Sequence, residues 1–377
     1  MNITCVATSA VVPSNRSHWE RLVELHPDAD VTLICPAEYH TDRYGDTQTY
    51  RVQQEDWGDL RLRPIKTTKN REVYRSLTLG LRNPRPDILQ VNKEPDNWDL
   101  HQWLTAGRVF APQAVRLFYF EKLLPTQPAR LDRRLKNRYA FRMAQALVPT
   151  AAAERALGEL GYEGSVHLIP YQGRDERVWF PGPAHRRDKF IIGFSGALRL
   201  QKGIVNLAHA VAGLRGDWRL QVAGDGPDRP AMEATLQEAG VRDRADFLGL
   251  IERDELPEIV RSWDVIVLPS RNAFGWHGEQ FPMALIEGML CRVAVVGSDS
   301  GGIPELIRDA GLVCREEDWR SLREQLQNLM DNPGLLRQMA DRGYERALRL
   351  YSRTAVAEQT YSLFERLLEG STGRPSR

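Results

Sequence analysis

The sequence predicts an α/β protein of two parallel, doubly wound sheets, and three observations carry that expectation. Short β-branched runs alternate with longer amphipathic runs, the pattern of parallel sheets covered on both faces. The alternation occurs twice, on either side of YQGRDERVWFPGPAHRRD (171–188), a stretch rich in Gly, Pro and charge. The chain, at 377 residues, is long enough for two domains with a sizeable core each.

The first series of strand candidates is NITCVA (2–7), DVTLICP (30–36), DILQVN (87–92), AVRLFYF (114–120), ALVPT (146–150) and VHLIP (166–170). The second is KFIIGFSG (189–196), WRLQVAG (218–224), ADFLGLI (245–251), DVIVLPS (264–270), VAVVGS (293–298) and AGLVC (310–314). Segments with helical period fall between them, at 16–26, 203–215, 228–239, 254–263, 282–290 and 318–330. The run SRTAVAEQTYSLFERLLEG (352–370) is also helical in period and is expected to cross back onto the first unit. The tail STGRPSR is expected to be disordered. The expected domains are therefore 1–172 with the helix at about 352–370, a linker at 173–188, and 189–351.

Composition excludes several classes. Lys and Arg total 51 against 50 Asp and Glu, so the chain lacks the basic excess of a general nucleic-acid binder. No apolar run reaches the 18 or so residues of a membrane span. The N-terminus, MNITCVATSAVVPSNR, reads as a first strand, without the basic and long apolar regions of a signal peptide. Cys5, Cys35, Cys291 and Cys314 are scattered, with neither metal-ligand spacing nor a disulfide framework, so buried free thiols in a reducing cytosol are expected.

The chemistry gathers at turns that follow strands of the second series. In FSGALRLQKGIVNL (194–207) a strand meets Gly196, and a helix starts after Gly203, with Arg199 and Lys202 between. Ligands of doubly wound sheets sit beyond the carboxyl ends of strands, and a helix N-terminus there offers free N–H groups to an anion. Two cations beside it suit a diphosphate, although an exposed turn with two solvated cations is the plain alternative. The sequence is neither GxGxxG nor a P-loop. VAGDGPDR (222–229) flanks Asp225 with Gly224 and Gly226, as a turn passing close to something does, or as a plain tight βα turn does. In GSDSGGIPELI (297–307), Gly301 and Gly302 are placed to offer backbone amides to phosphate.

GWHGEQFPMALIEGM (275–289) carries Glu279 in the loop before Pro282 and Glu287 about one and a half turns inside the following helix. Helical side chains lean toward the N-terminus, so Glu287 is placed to reach the same cavity as Glu279. Two carboxylates facing one cavity suit two polyols, a ribose and a sugar. The alternative is a helix-dipole partner, Glu279, and a surface residue, Glu287. The apolar neighbours Leu285, Ile286, Met289 and Leu290 speak against a surface position.

Together, G-x-L-R-x-x-K-G (196–203), GDGP (224–227), EQF (279–281), the E-x7-E pair and VVGSDSGGIPELIRDAGLV (295–313) resemble the retaining nucleotide-sugar glycosyltransferases of family 4, with the GT-B fold. The best match spans Phe190 to about Tyr351; PDILQVNKEP (86–95) and IPYQGRDERVWFP (169–181) match more loosely. The resemblance implies two Rossmann-like domains facing a cleft, with the donor on the C-terminal side and the acceptor on the N-terminal side. It implies that Arg199 and Lys202 bind the donor diphosphate and that Glu287 holds the ribose. Glu279 would contact the transferred sugar, with the backbone of Gln280 and Phe281 nearby, and Gly196, Gly301 and Gly302 would line the site. It also implies a cytoplasmic, metal-independent hexosyltransferase without a cofactor. The nucleotide sugar, of UDP or GDP type, is the co-substrate, and a glycan, glycolipid or lipid-linked sugar the acceptor.

The chain departs from the family at several positions. Ala197 stands where an Arg is common and Arg292 where a Gly is common. The first βα turn, ATSAVVPS (7–14), lacks glycines, and LFYFEKLL (117–124) offers Tyr119 and Glu121 where many members have a His. Acceptor-side candidates are thus His101, Glu94, Tyr119 and Glu121. These departures motivate an alternative, a nucleotide-sugar-binding module of the same fold with impaired catalysis. A phosphorylase-type enzyme with pyridoxal phosphate needs a longer chain and a Schiff-base lysine context that is not evident. His277 lies in the donor loop; His167 and His209 read as structural. Finally, 101–150 holds nine Lys/Arg against two Asp/Glu, six of the nine in RLDRRLKNRYAFR (130–142). That segment reads either as a peripheral contact with an anionic inner membrane face or as a solvated helix face.

Overall fold

The computed structural model describes residues 1–43, 46–68, 73–82, 84–121, 131–183, 188–273 and 276–372. The chain divides into two compact units, Met1–Asp175 with Arg353–Arg377, and Glu176–Ser352.

The first unit opens with β1 (Asn2–Val6), α1 (Ser17–Leu25) and β2 (Asp30–Pro36). β3 (Glu38–Arg43), β4 (Asp46–Arg51), β5 (Glu55–Trp57) and β6 (Leu60–Ile65) follow. The rest is β7 (Ile88–Val91), α2 (Trp98–Phe110), β8 (Val115–Tyr119), α3 (Leu131–Met143), β9 (Gln145–Val148), α4 (Ala151–Glu159) and β10 (Val166–Leu168). Its main sheet runs β10-β9-β8-β7-β1-β2-β6-β5. All neighbours are parallel except β5 and β6, while β3 and β4 form a separate antiparallel pair. β6, LRLRPI, is a departure from the expected strands, since a proline inside an apolar alternation argues against a strand. Pro64 is its penultimate residue, and Leu60 and Leu62 supply the buried face.

Successive residues of a strand face opposite sides, and the two buried clusters of this unit show it. Val6 and Phe118 join Trp103 and Leu104 of α2 on one face; Cys5 and Leu117 join Trp19 and Leu22 of α1 on the other. The second face is completed from the far end of the chain. There α12 (Arg353–Thr372) adds Tyr361, Leu363 and Phe364. The Tyr361 hydroxyl donates to Asp28 Oδ2 at 2.7 Å, and Arg21 Nε donates to Thr354 Oγ1 at 3.1 Å.

The second unit contains β11 (Phe190–Ser195), α5 (Ile204–Ala212), β12 (Trp218–Ala223), α6 (Arg229–Glu238), β13 (Ala245–Gly249), α7 (Leu256–Arg261) and β14 (Val265–Leu268). It continues with the short antiparallel pair β15 (Asn272–Ala273) and β16 (Trp276–His277), then α8 (Met283–Leu290), β17 (Ala294–Ser298) and α9 (Ile303–Ile307). β18 (Leu312–Cys314), α10 (Trp319–Asp331) and α11 (Pro333–Leu350) end it. The sheet is wholly parallel, in the order β13-β12-β11-β14-β17-β18. Its interior strands β14 and β17 are buried at every residue, as strands covered on both faces are.

In both units the first strand lies in the middle, and the chain winds outward to one side before restarting on the other. That reversal leaves a crevice beyond the carboxyl ends of two adjacent strands. It lies between β1 and β7 in the first unit, and between β11 and β14 in the second. All four cysteines are buried and free, and burial pushes Cys35, Cys291 and Cys314 up to about 12. Among the described residues, no helix is long and apolar enough to cross a membrane.

Candidate functional site

β11 delivers the chain to the switch point at Ser195. Gly196 follows, Leu198 turns inward and is fully buried, and Arg199 stays exposed. Leu200–Lys202 form one 3-10 turn, and Gly203 then takes a left-handed conformation (φ 71°) before α5. A side chain at Gly203 would overlap the carbonyl oxygen of Pro269 at the end of β14, so glycine alone lets the two strand ends come together here.

Lys202 meets the first of the paired acids directly: its Nζ lies 2.5 Å from Glu279 Oε2. The same carboxylate oxygen accepts from the Ser270 hydroxyl at 3.2 Å, and Ser270 is fully buried just after β14. Ser298 Oγ, at the end of β17, donates to the Ser270 carbonyl. Three strand ends thus converge on Glu279. Glu287 lies inside α8 and is 8% exposed, among Leu285, Ile286, Met289 and Leu290, which are fully buried. α8 begins at Met283, with Pro282 as its cap residue. Gln280 and Phe281 are partly buried, and Phe281 packs edge-on against Tyr351.

The glycines after β17 divide. The Gly302 amide donates to the Glu279 carbonyl at 2.7 Å. That corrects its expected role as a phosphate-facing amide: it braces the glutamate loop. Gly301 has φ 60° and sits beside Gly278. Ser300, which the sequence did not single out, buries its hydroxyl in the same place with no partner among the described residues. The turn at 224–229 approaches the cation loop itself. Leu198 N donates to the Asp225 carbonyl (3.0 Å), Asp228 N to the Leu198 carbonyl (3.1 Å), and Leu200 N to Asp228 Oδ2 (2.9 Å).

The acceptor-side candidates cluster near the carboxyl ends of β7 and β8. The Glu121 amide donates to Glu94 Oε1 at 3.2 Å, and burial pushes the Glu121 carboxyl up to about 7. A ring nitrogen of His101 lies 2.9 Å from the Pro95 carbonyl, the ring stacks on Tyr139, and burial lowers its pKa. Tyr119 is corrected: it is buried and its hydroxyl donates to the Ile169 carbonyl at 2.6 Å, the environment of a core tyrosine. His167 pairs with Gln145 and His209 faces Trp319. The His277 side chain lies outside the described residues, as does Arg130. In α3, Arg133, Arg134, Arg138 and Arg142 are exposed, and so are Leu131 (74%) and Leu135 (60%). Lys136 covers the ring of Trp98, itself 54% exposed. Among the described residues, no group of three His, Cys, Asp or Glu is arranged to hold a metal ion.

Residues 175–346 match the family model described as Glycosyl transferases group 1. The alpha-D-kanosaminyltransferase of Streptomyces kanamyceticus is 25% identical over 287 residues, covering 69% of this chain and 72% of that protein. A glycosyltransferase from Rickettsia africae superposes with a TM-score of 0.75 at 13% identity, covering 98% of each chain. HepE of Anabaena, solved in complex with UDP, gives a TM-score of 0.74 at 15% identity over 97% of this chain and 100% of that one.

Proposed function

We propose that this chain, which has the fold of the GT-B glycosyltransferases, is itself a glycosyltransferase, running a metal-independent reaction that moves a hexose from a UDP- or GDP-sugar to a hydroxyl acceptor with retention at the anomeric carbon. The observation that carries this reading is the Lys202–Glu279 pair at the switch point of the second unit. Beside it lies the exposed Arg199, and the N-terminus of α5 begins two residues after Lys202.

In this reading the donor's diphosphate takes the place of the Glu279 carboxylate as the partner of Lys202. Arg199 and the first amides of α5 add to the positive field. Charge that develops on the leaving nucleoside diphosphate then meets cations and amides already in position, with no reorganisation at the moment of reaction. Glu279, released from Lys202 but still held by Ser270, accepts hydroxyls of the transferred sugar, and Glu287 accepts those of the ribose. UDP on the related HepE fold supports the nucleotide class. A sugar or lipid-linked sugar is the proposed acceptor.

A thermal-shift screen of nucleoside diphosphates and nucleotide sugars, run with a metal chelator, tests the donor. A ligand at a hundred times its dissociation constant stabilises by about 2.7 kcal/mol. No shift with any of them would overturn the reading, and proton NMR of the fresh product reads the anomeric outcome.

The exposed leucines in the basic face of α3 favour a second element: peripheral docking on an anionic membrane at the cytoplasmic face. Leu131 and Leu135 are one turn apart, and Arg138 and Arg142 continue the same stripe. Co-sedimentation with anionic vesicles should weaken in high salt and in Leu131→Glu/Leu135→Glu. No binding at low salt would end this part of the proposal.

A further inference from the structure

Asp228 stands at the cap position of α6, where an aspartate ordinarily accepts from its own helix. Its side chain makes no such bond. The carboxylate instead reaches a different loop and accepts the amide of Leu200 at 2.9 Å. That amide opens the 3-10 turn carrying Lys202, and a first-turn donor has no partner within its own turn.

We propose that Asp228 is a positioning residue for the diphosphate site: it fixes the Arg199–Lys202 turn from behind, so that the two cations present themselves together. The inference rests on the donor reading above. Three bonds join the two loops. The Leu198 amide and carbonyl are both engaged by the 225–228 backbone, and the Asp228 carboxylate adds the third, two residues further along. The approach requires glycine at its closest points. A side chain at Gly224, where φ is 138°, would overlap the Gly196 carbonyl, and one at Gly226 would overlap that of Leu198. The turn is itself stiffened, because Asp225 accepts its neighbour's amide (Gly226 N, 2.7 Å) and pairs with Arg229 at 3.3 Å. The GDGPDR turn therefore acts on the ligand through the cation loop.

Calorimetry with inorganic pyrophosphate on the full chain tests this. Asp228→Ala should weaken pyrophosphate binding roughly tenfold. Asp228→Asn, whose amide oxygen still accepts from Leu200, should stay within about threefold of wild type. In a Lys202→Ala background, adding Asp228→Ala should cost clearly less than it does alone, because only Arg199 is left for the turn to present. Equal affinity of wild type and Asp228→Ala, Asn behaving like Ala, or fully additive losses would each overturn the inference. A purely structural role would lower the melting temperature and spare the affinity of the folded protein. Should Asp228→Ala not fold, Asp228→Ser, one atom too short to reach Leu200, takes its place with the same expectations. Wild-type protein that binds neither pyrophosphate nor any nucleoside diphosphate would overturn the donor reading itself.

Discussion

The two units share one winding and differ in what they place at its reversal. Around β11 and β14 the ends of the strands are drawn together by glycine, and the groups at the crevice are two cations, a carboxylate held by one of them, and small hydroxyls. Around β1 and β7 the first turn has no glycine and becomes two short 3-10 turns, Thr8–Val11 and Pro13–Asn15. The carboxylates Glu94 and Glu121 lie at the neighbouring strand ends. One topology thus places two cations at one crevice and carboxylates beside the other. Winding fixes where a ligand can sit; the first residues past each strand fix its charge.

The contrast breaks most readily at Lys202. Lys202→Ala removes a charge-assisted contact worth about 1.5–3 kcal/mol, so nucleoside diphosphate affinity should fall roughly ten- to hundredfold by calorimetry. Unchanged affinity would leave the second crevice no more anion-selective than the first. Glu287→Ala sharpens the same side, since it should weaken nucleoside diphosphates about tenfold and leave pyrophosphate alone. Equal losses would remove Glu287 from the ribose.

On the acid side, Glu121 titrates near 7 in the folded chain against an ordinary value of 4.5. Between those values the folded state holds a proton that the unfolded state has released, so stability falls as pH rises through that window. Glu121→Gln should abolish that slope, on the order of 2 kcal/mol between pH 5 and 8, read from melting curves across the range. A slope that persists would place the titrating group elsewhere. Tyr119→Phe leaves the Ile169 carbonyl without its donor and should cost about 1 kcal/mol of stability with turnover unchanged. Lost turnover at full stability would return Tyr119 to the acceptor side. The smallest effect is expected at Arg292, where a side chain occupies the left-handed region (φ 58°). It is held by Asp341 at 3.4 Å and by the ring of Tyr344. Arg292→Gly relieves strain but loses both contacts, so the net change should stay within about 1 kcal/mol by denaturant unfolding.

These residues also show how far the sequence reaches. Parallel strands are legible because burial on both faces leaves continuous apolar runs, as in VIVL of β14. The positions of Lys202, Glu279 and Glu287 are legible because each occupies a turn or helix that the local pattern marks. What the sequence hides is non-local. The Tyr119 hydroxyl finds its acceptor 50 residues away, and the Asp228 carboxylate its donor 28 residues back. The Gly302 amide turns to a carbonyl in the preceding loop. Nothing in the local pattern distinguishes an amide open to phosphate from one already bonded. β6 was obscured by a proline that the fold tolerates near a strand's end.

The docking of α12 on α1 has a temporal consequence. Ribosomes would release the whole of Glu176–Ser352, continuous in sequence, before the first unit receives α12. Until then Trp19 and Leu22 lack the cover that Phe364 and Tyr361 supply. A unit begun before Glu176–Ser352 is thus closed only after it, and until then the nascent chain carries an apolar seam exposed along α1.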